Sequence, residues 1–165
     1  MNETSRTIRF NSARFGEIEI PDEKVISVPD GIIGFPDFRR YALLDPSSGA
    51  SLFLWLQAVD SPDLAFVITD PAAFVPDFKI LTSEPALARL DVIHKSVPAL
   101  FAITTIPEND PDRVSINLLA PLLYFADDNS LHQIVLEHGD WPLRFFLLQR
   151  KNFDPVGERN PEGVV

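Results

Sequence analysis

Leu52-Phe-Leu-Trp-Leu-Gln-Ala-Val59 and Leu64-Ala-Phe-Val-Ile-Thr69 are two apolar runs joined by the polar link Asp60-Ser-Pro-Asp63. Each run has strand length and is rich in β-branched and aromatic residues. The link carries the Asp, Ser and Pro that set turn geometry. Together they read as a β-hairpin with a polar turn. The runs are too continuously apolar to leave one face in water, so part of the hairpin is expected to be covered on both sides.

Outward from this hairpin the chain continues as short apolar segments punctuated by Pro, Asp, Asn and Gly. Upstream, residues 7–10 begin a first strand. In residues 15–20, Ile18 and Ile20 face one way and Glu17 and Glu19 the other, the period of a half-buried strand. Residues 24–28 continue similarly, with Ile26 and Val28 on one face. Pro29-Asp-Gly-Ile-Ile-Gly-Phe-Pro36 then demands special backbone angles. Residues 37–44 can hold a short helical turn capped by Asp37 before a strand.

Downstream, a Pro-rich connection over residues 70–77 leads to a strand predicted at 78–81. Ser83-Glu-Pro-Ala-Leu-Ala-Arg-Leu90 is the best helix candidate, with Ser83 as cap and Leu87 and Leu90 on one face. A loop follows over residues 91–98. Residues 99–106 and 113–125 form another predicted hairpin across Pro107-Glu-Asn-Asp-Pro-Asp112, with Pro121 forcing an edge position or a bulge. Residues 131–136 and 143–148 supply two more strands. The count is about nine short strands and one short helix. Open sheet edges invite aggregation, which a closed or nearly closed barrel avoids. The expected fold is therefore mainly β: a small antiparallel β-barrel-like single domain over residues 1–150, with a polar, mobile tail over 151–165.

Composition sharpens this reading. The chain has 165 residues, which suits one domain, and 15 Pro against 7 Gly argue against long helices. The absence of Cys excludes disulfides, thiolate nucleophiles and Cys-based metal sites. Residues 1–10 lack the apolar core of a signal peptide, and no apolar run approaches the roughly 18 residues that span a bilayer. A cytoplasmic protein without a membrane partner is expected. Residues 41–140 hold 14 acidic and 4 basic residues, so this stretch alone carries the whole net charge of −10. A field of that sign repels phosphate backbones and draws in basic partners, which excludes direct nucleic-acid binding through clustered Lys and Arg.

The residues offer little for catalysis. His132 and His138 are six apart; on one strand such positions lie about 20 Å from each other, too far to share a metal. Neither a metal nor any other cofactor is expected, and His94, His132 and His138 read as surface or hydrogen-bonded side chains. Nucleophile elbows, phosphate loops and zinc-protease motifs are missing. The carboxylate pairs Glu17/Glu19, Asp60/Asp63, Asp110/Asp112 and Asp127/Asp128 lie mostly in turns where solvation is expected. Gln57 and Asn117 are polar amides within apolar strands. Each must either bridge backbone groups inside the fold or make a specific contact outside it.

Four segments in order carry a resemblance: Phe15-Gly-Glu-Ile-Glu-Ile20, Val28-Pro-Asp-Gly-Ile-Ile-Gly-Phe35, Leu54-Trp-Leu-Gln57 leading into Pro62-Asp-Leu-Ala-Phe66, and Asn117-Leu-Leu-Ala-Pro121. Together they resemble the bacterial flagellar assembly factor FliW family, from about Arg6 to about Leu148. The chain departs from the family pattern at Ala126-Asp-Asp-Asn-Ser130, where relatives usually carry a basic, glycine-containing turn. The resemblance implies a non-enzymatic, barrel-like protein that binds the translational regulator CsrA, antagonising its repression of flagellin mRNA, and that also binds flagellin. Flagellin in the cytoplasm would capture the factor and free CsrA to repress; export would reverse this. The family's signature falls on Gly31, Gly34, Phe35, Gln57, Asn117 and Pro121. Backbone geometry accounts for Gly31, Gly34 and Pro121. Phe35, Asp37, Gln57, Asp60, Asp63 and Asn117 are the expected partner contacts. Two other classes remain distinguishable: a small-molecule-binding β-barrel, which needs an apolar cavity, and an enzyme with a converging carboxylate dyad.

Overall fold

The computed structural model describes residues 5–91, 94 and 96–148. The predicted tail over 151–165 lies outside the described residues, as do residues 1–4, three positions of the loop over 91–98 and residues 149–150.

Strands β1 (Thr7–Ser12) and β2 (Gly16–Pro21) form an antiparallel hairpin in the register Phe10↔Ile18. Its alternation places Ile8, Phe10, Ile18 and Ile20 against Ala42 and Val59, while Arg9 and Glu19 pair on the solvent side. The hairpin thus covers part of the outer face of the main sheet.

That sheet contains β3 (Ile26–Ser27), β4 (Arg40–Leu44), β5 (Phe53–Ala58), β6 (Ala65–Thr69), β7 (Ala99–Thr105), β8 (Ser115–Ile116), β9 (Leu122–Phe125), β10 (Ser130–Gln133) and β11 (Phe145–Phe146). Its order runs β11-β8-β7-β6-β5-β4-β3-β10-β9, and β9 pairs back onto β7. Seven strands, β7-β6-β5-β4-β3-β10-β9, therefore close into a barrel. Closure uses two halves of one β7 edge: residues 99–101 meet β9, and 104–105 meet β8. Pairing is antiparallel except between β3 and β10, which run parallel at Ser27↔Ser130.

The central hairpin forms as predicted, with β5 and β6 in the register Trp55↔Val67. Leu54, Leu56 and Ala58 face a core shared with Ile26, Val28, Tyr41, Ile68, Leu122 and Leu131. On the other face of β5, Trp55 meets Phe15 edge-on and Gln57 meets Ser12. Both faces are covered, each buried Leu, Ile or Phe contributing about 1.5–3 kcal/mol. The buried side chains of Tyr41, Leu56, Ile68, Leu122 and Leu131 pack into one cluster, which counts against a barrel that encloses a small molecule. Among them Tyr41 is fully buried with its hydroxyl unpartnered, and burial pushes its phenol up to about 12.

Several local expectations are corrected. Residues 78–81 form no strand; a turn at Val75-Pro76-Asp77 closes with the Phe78 N–H on the Val75 carbonyl, and the Phe78 ring packs edge-on against Trp141. Residues 36–37 make a turn, not a capped helical segment. Helix α1 spans Pro85–Asp91, against a prediction of 83–90 with Ser83 as its cap. Ser83 does not cap it, because its hydroxyl lies 3.0 Å from His138 Nδ1. Glu84 instead is buried, and its carboxylate accepts the backbone N–H groups of Glu137 and His138. The predicted long strand over 113–125 breaks into β8 and β9, since Pro121 has no N–H to give a ladder. Residues 143–148 contribute only the two-residue β11. Eleven strands among the described residues, several of two residues, replace the expected nine.

Candidate partner-binding surface

Residues 28–36 form a tightly held loop of the barrel. The Gly31 N–H donates to the Val28 carbonyl, and the Phe35 N–H to the Ile32 carbonyl. Gly31 has φ +68°, and a Cβ there would lie 2.6 Å from the Pro36 Cα, so both backbone angle and space require glycine. Gly34, at φ +91°, occupies the third position of the turn 32–35, where a positive φ is needed, although a Cβ would meet open space. The turn holds two large apolar side chains toward solvent: Ile33 at 60% exposure and Phe35 at 39%. Phe35 is anchored on one side by an edge contact with Phe66 of β6, 5.4 Å between ring centres. Asp37 is exposed just beyond it.

Gln133 of β10 clamps this loop. Its Oε1 accepts the Ile33 N–H at 2.8 Å, and its Nε2 donates to the Ala120 carbonyl. The Ala120 N–H in turn donates to Asn117 Oδ1 at 2.9 Å. A continuous hydrogen-bonded path therefore joins the Asn117–Pro121 segment to the Ile33–Phe35 turn. Asn117 is half-buried and spends its side-chain oxygen on this internal bend. Pro121 terminates the bend, and its carbonyl accepts the Ile134 N–H. Gln133 was not among the expected site residues; the only sequence signal was a polar side chain opening the run Gln133-Ile-Val-Leu136.

Gln57 corrects the expectation of a partner contact. It is fully buried. Its Oε1 accepts the Ser12 hydroxyl at 2.8 Å, and its Nε2 faces the carbonyls of Ala58, Ser61 and Leu64 within 3.2 Å. The amide ties the β1–β2 hairpin to the β5–β6 turn and offers nothing to solvent. The Ala13 N–H reinforces the junction by donating to the Pro62 carbonyl.

At the β5–β6 turn the two acids differ. Asp60 takes two bonds from the Arg40 guanidinium, the shorter 2.7 Å, which hold its carboxyl below the usual aspartate range. Much of its charge is therefore spent locally. Asp63 is exposed and lines a surface hollow of about 450 Å³ with Arg14, Trp55 and Pro62. The Arg14 guanidinium lies 4.3 Å from the Trp55 ring centre.

Comparison with known proteins adds a second line. A family model described as FliW protein matches residues 9–147. The flagellar assembly factor FliW of Ruminiclostridium cellulolyticum is 33% identical over 137 residues, covering 83% of this chain and 92% of that protein. The factor of the same name from Natranaerobius thermophilus is 37% identical over 134 residues, covering 81% and 88%. A crystal structure of the flagellar assembly factor FliW superposes with a TM-score of 0.73 at 25% identity, over 85% of this chain and 96% of that one. The four signature segments thus fall in a barrel of the same architecture, joined in two pairs: Phe15–Ile20 with Leu54–Phe66 through the Phe15–Trp55 ring contact, and Val28–Phe35 with Asn117–Pro121 through Gln133.

Proposed function

The chain belongs to the FliW protein family of flagellar assembly factors, and from that premise we propose that it is a non-enzymatic regulator that works by exchanging protein partners in the cytoplasm. One partner is a CsrA-type translational regulator, whose repression of flagellin mRNA the chain antagonises; the other is flagellin. The observation that carries this reading is the Ile33–Phe35 turn. Two apolar side chains stand in water on a loop whose backbone is fixed by Gly31 and Gln133, so little conformational entropy is lost when a partner covers them. Aromatic anchors of this kind dominate interface energetics. Asp37 beside this turn and Asp63 at the β5–β6 turn carry exposed negative charge that suits a basic partner and disfavours RNA itself. Asn117 supports the surface from within by holding the bend on which Gln133 pulls. No helix among the described residues is long and apolar enough to cross a membrane.

Calorimetric titration of the purified full chain with the CsrA-type protein of the same organism tests the proposal. A saturable complex that weakens as salt rises from low to moderate concentration is expected; no heat at either concentration sinks the reading for that partner. Replacing Asp60 and Asp63 together by Lys is expected to slow association in stopped-flow measurements while leaving dissociation nearly unchanged. Because Asp60 is already paired with Arg40, Asp63→Lys alone should account for most of the slowing. Unchanged association rates would remove this turn from the interface.

A further inference from the structure

Beside the 28–36 loop, across a hollow that Pro29, Asp30 and Gln133 also line, three groups far apart in sequence converge. His94 follows α1 and is 4% exposed, its ring stacked on Phe125 of β9 with 3.8 Å between ring centres. Asp127 and Asp128 lie in the β9–β10 turn, with side chains 43% and 49% exposed. His94 Nδ1 sits 3.4 Å from Asp127 Oδ1 and 3.8 Å from Asp128 Oδ2. Neither ring nitrogen of His94 has a hydrogen-bond partner. A buried imidazole nitrogen left unused is costly, so Nδ1, which faces the two carboxylates, calls for an occupant.

The distances identify it. A proton shared between imidazole and carboxylate draws the two to about 2.7–2.9 Å, the length of a charge-assisted hydrogen bond. Here both separations are longer. Ligand atoms bound about 2.0–2.1 Å from one tetrahedral zinc ion stand roughly 3.3 Å from each other; the Nδ1–Asp127 separation matches this, and the exposed Asp128 side chain closes its 3.8 Å by a small rotation. The one nitrogen and two carboxylate oxygens all lie within 4.8 Å of one another. We propose that His94, Asp127 and Asp128 form a binding site for a divalent cation of the zinc class, with an open fourth position toward the adjoining hollow.

Supporting groups are in place. The Ser130 hydroxyl donates to Asp128 Oδ1, so that carboxylate is held from behind, as outer-shell partners hold metal ligands. Having donated its one proton there, the same hydroxyl is left to accept from His132 Nε2, 3.2 Å away. The hollow beside His94 and Asp128, about 400 Å³, is also lined by His132, Asp30 and Arg89 and gives a cation and its water a route in. One aqueous ligand at the open position completes a four-coordinate set. Occupancy would pin the segment after α1 to the β9–β10 turn, two parts of the chain that share no strand pairing.

The test uses tag-free, full-length protein stripped of metal with a chelator. Titration with zinc chloride is expected to give one site of micromolar or tighter affinity and a rise in the melting temperature. Cobalt(II) should produce visible ligand-field bands that zinc abolishes. Asp127→Asn with Asp128→Asn removes two exposed acids without opening the core; it should keep the metal-free melting temperature, lower zinc affinity at least tenfold and lose the cobalt bands. Asp110→Asn with Asp112→Asn, an equally acidic pair elsewhere, should leave affinity unchanged. Absence of saturable zinc binding, or binding that the Asp127/Asp128 variant does not weaken, overturns the proposal. Neither result touches the partner-exchange reading, which the calorimetry above decides separately.

Discussion

Gln57 and His94 are both buried polar side chains on one barrel, and they use their polar atoms in opposite ways. The Gln57 amide is encircled by the Ser12 hydroxyl and the carbonyls of Ala58, Ser61 and Leu64. The His94 imidazole has no hydrogen-bond partner at either nitrogen. A satisfied buried amide is a structural tie: it fixes where one hairpin sits on another and leaves nothing for a ligand. An unsatisfied buried imidazole beside two carboxylates is unfinished without something bound. Burial alone therefore does not sort structural polar residues from candidate ligands on this molecule; His94 stands apart because an unused nitrogen and two carboxylates face each other.

The largest effect expected from this contrast is at Gln57. Gln57→Leu strands the Ser12 hydroxyl and several turn carbonyls, and should cost about 3 kcal/mol in urea unfolding, two or three unmade buried bonds at about 1 kcal/mol or more each. A loss below about 1 kcal/mol would mean that the amide network is dispensable. Gln133→Leu breaks the same kind of tie at a half-exposed place and should cost about 1–2 kcal/mol. It should also weaken CsrA-type binding by loosening the Ile33–Phe35 turn; unaltered affinity in calorimetry would separate the clamp from the interface.

Tyr41 belongs with His94, as a buried group lacking a partner. Tyr41→Phe removes an orphaned hydroxyl and should stabilise the fold by about 1 kcal/mol. The folded-state phenol titrates near 12 and the unfolded one near 10, so stability is fully held below pH 10 and is lost as pH rises through 12. The Phe variant should lack that alkaline loss, which equilibrium unfolding at pH 8 and pH 11 would read. Smallest of all, His94→Leu in metal-free protein at pH 8 should change stability by no more than about 1 kcal/mol in either direction, since no hydrogen bond is broken. A loss as large as that of Gln57→Leu would erase the distinction between the two sites.

Much of the fold was legible because local chemistry and tertiary placement agree. The turn Asp60–Asp63, the alternation of Ile18 and Ile20 with Glu17 and Glu19, and the need for glycine at 31 are all local facts that the barrel uses unchanged. Closure was inferred from the cost of open edges, but the route, with β7 sharing one edge between β8 and β9, depends on three-dimensional adjacency. Ser83 shows where a local rule loses: its hydroxyl fits a helix cap, yet His138, distant in sequence, takes it. Glu84 was one more acid in a helix start until the backbone N–H groups of Glu137 and His138 closed over it. On the candidate surface, Phe35, Asp37 and Asp63 are exposed as expected, whereas Gln57 turned inward because its strand is covered on both faces. Gln133 and the His94–Asp127–Asp128 cluster escaped notice for one reason. Each joins segments that no spacing pattern along the chain connects.

The central claim, that this barrel relieves a translational repressor by binding it, is tested most directly by cell-free translation of a flagellin leader–reporter mRNA held repressed by the CsrA-type protein. Adding the full chain is predicted to restore reporter synthesis, and adding purified flagellin afterwards to silence it again. Reporter output that stays repressed at a several-fold molar excess of the chain, with the mRNA translated normally when CsrA-type protein is left out, would contradict the account.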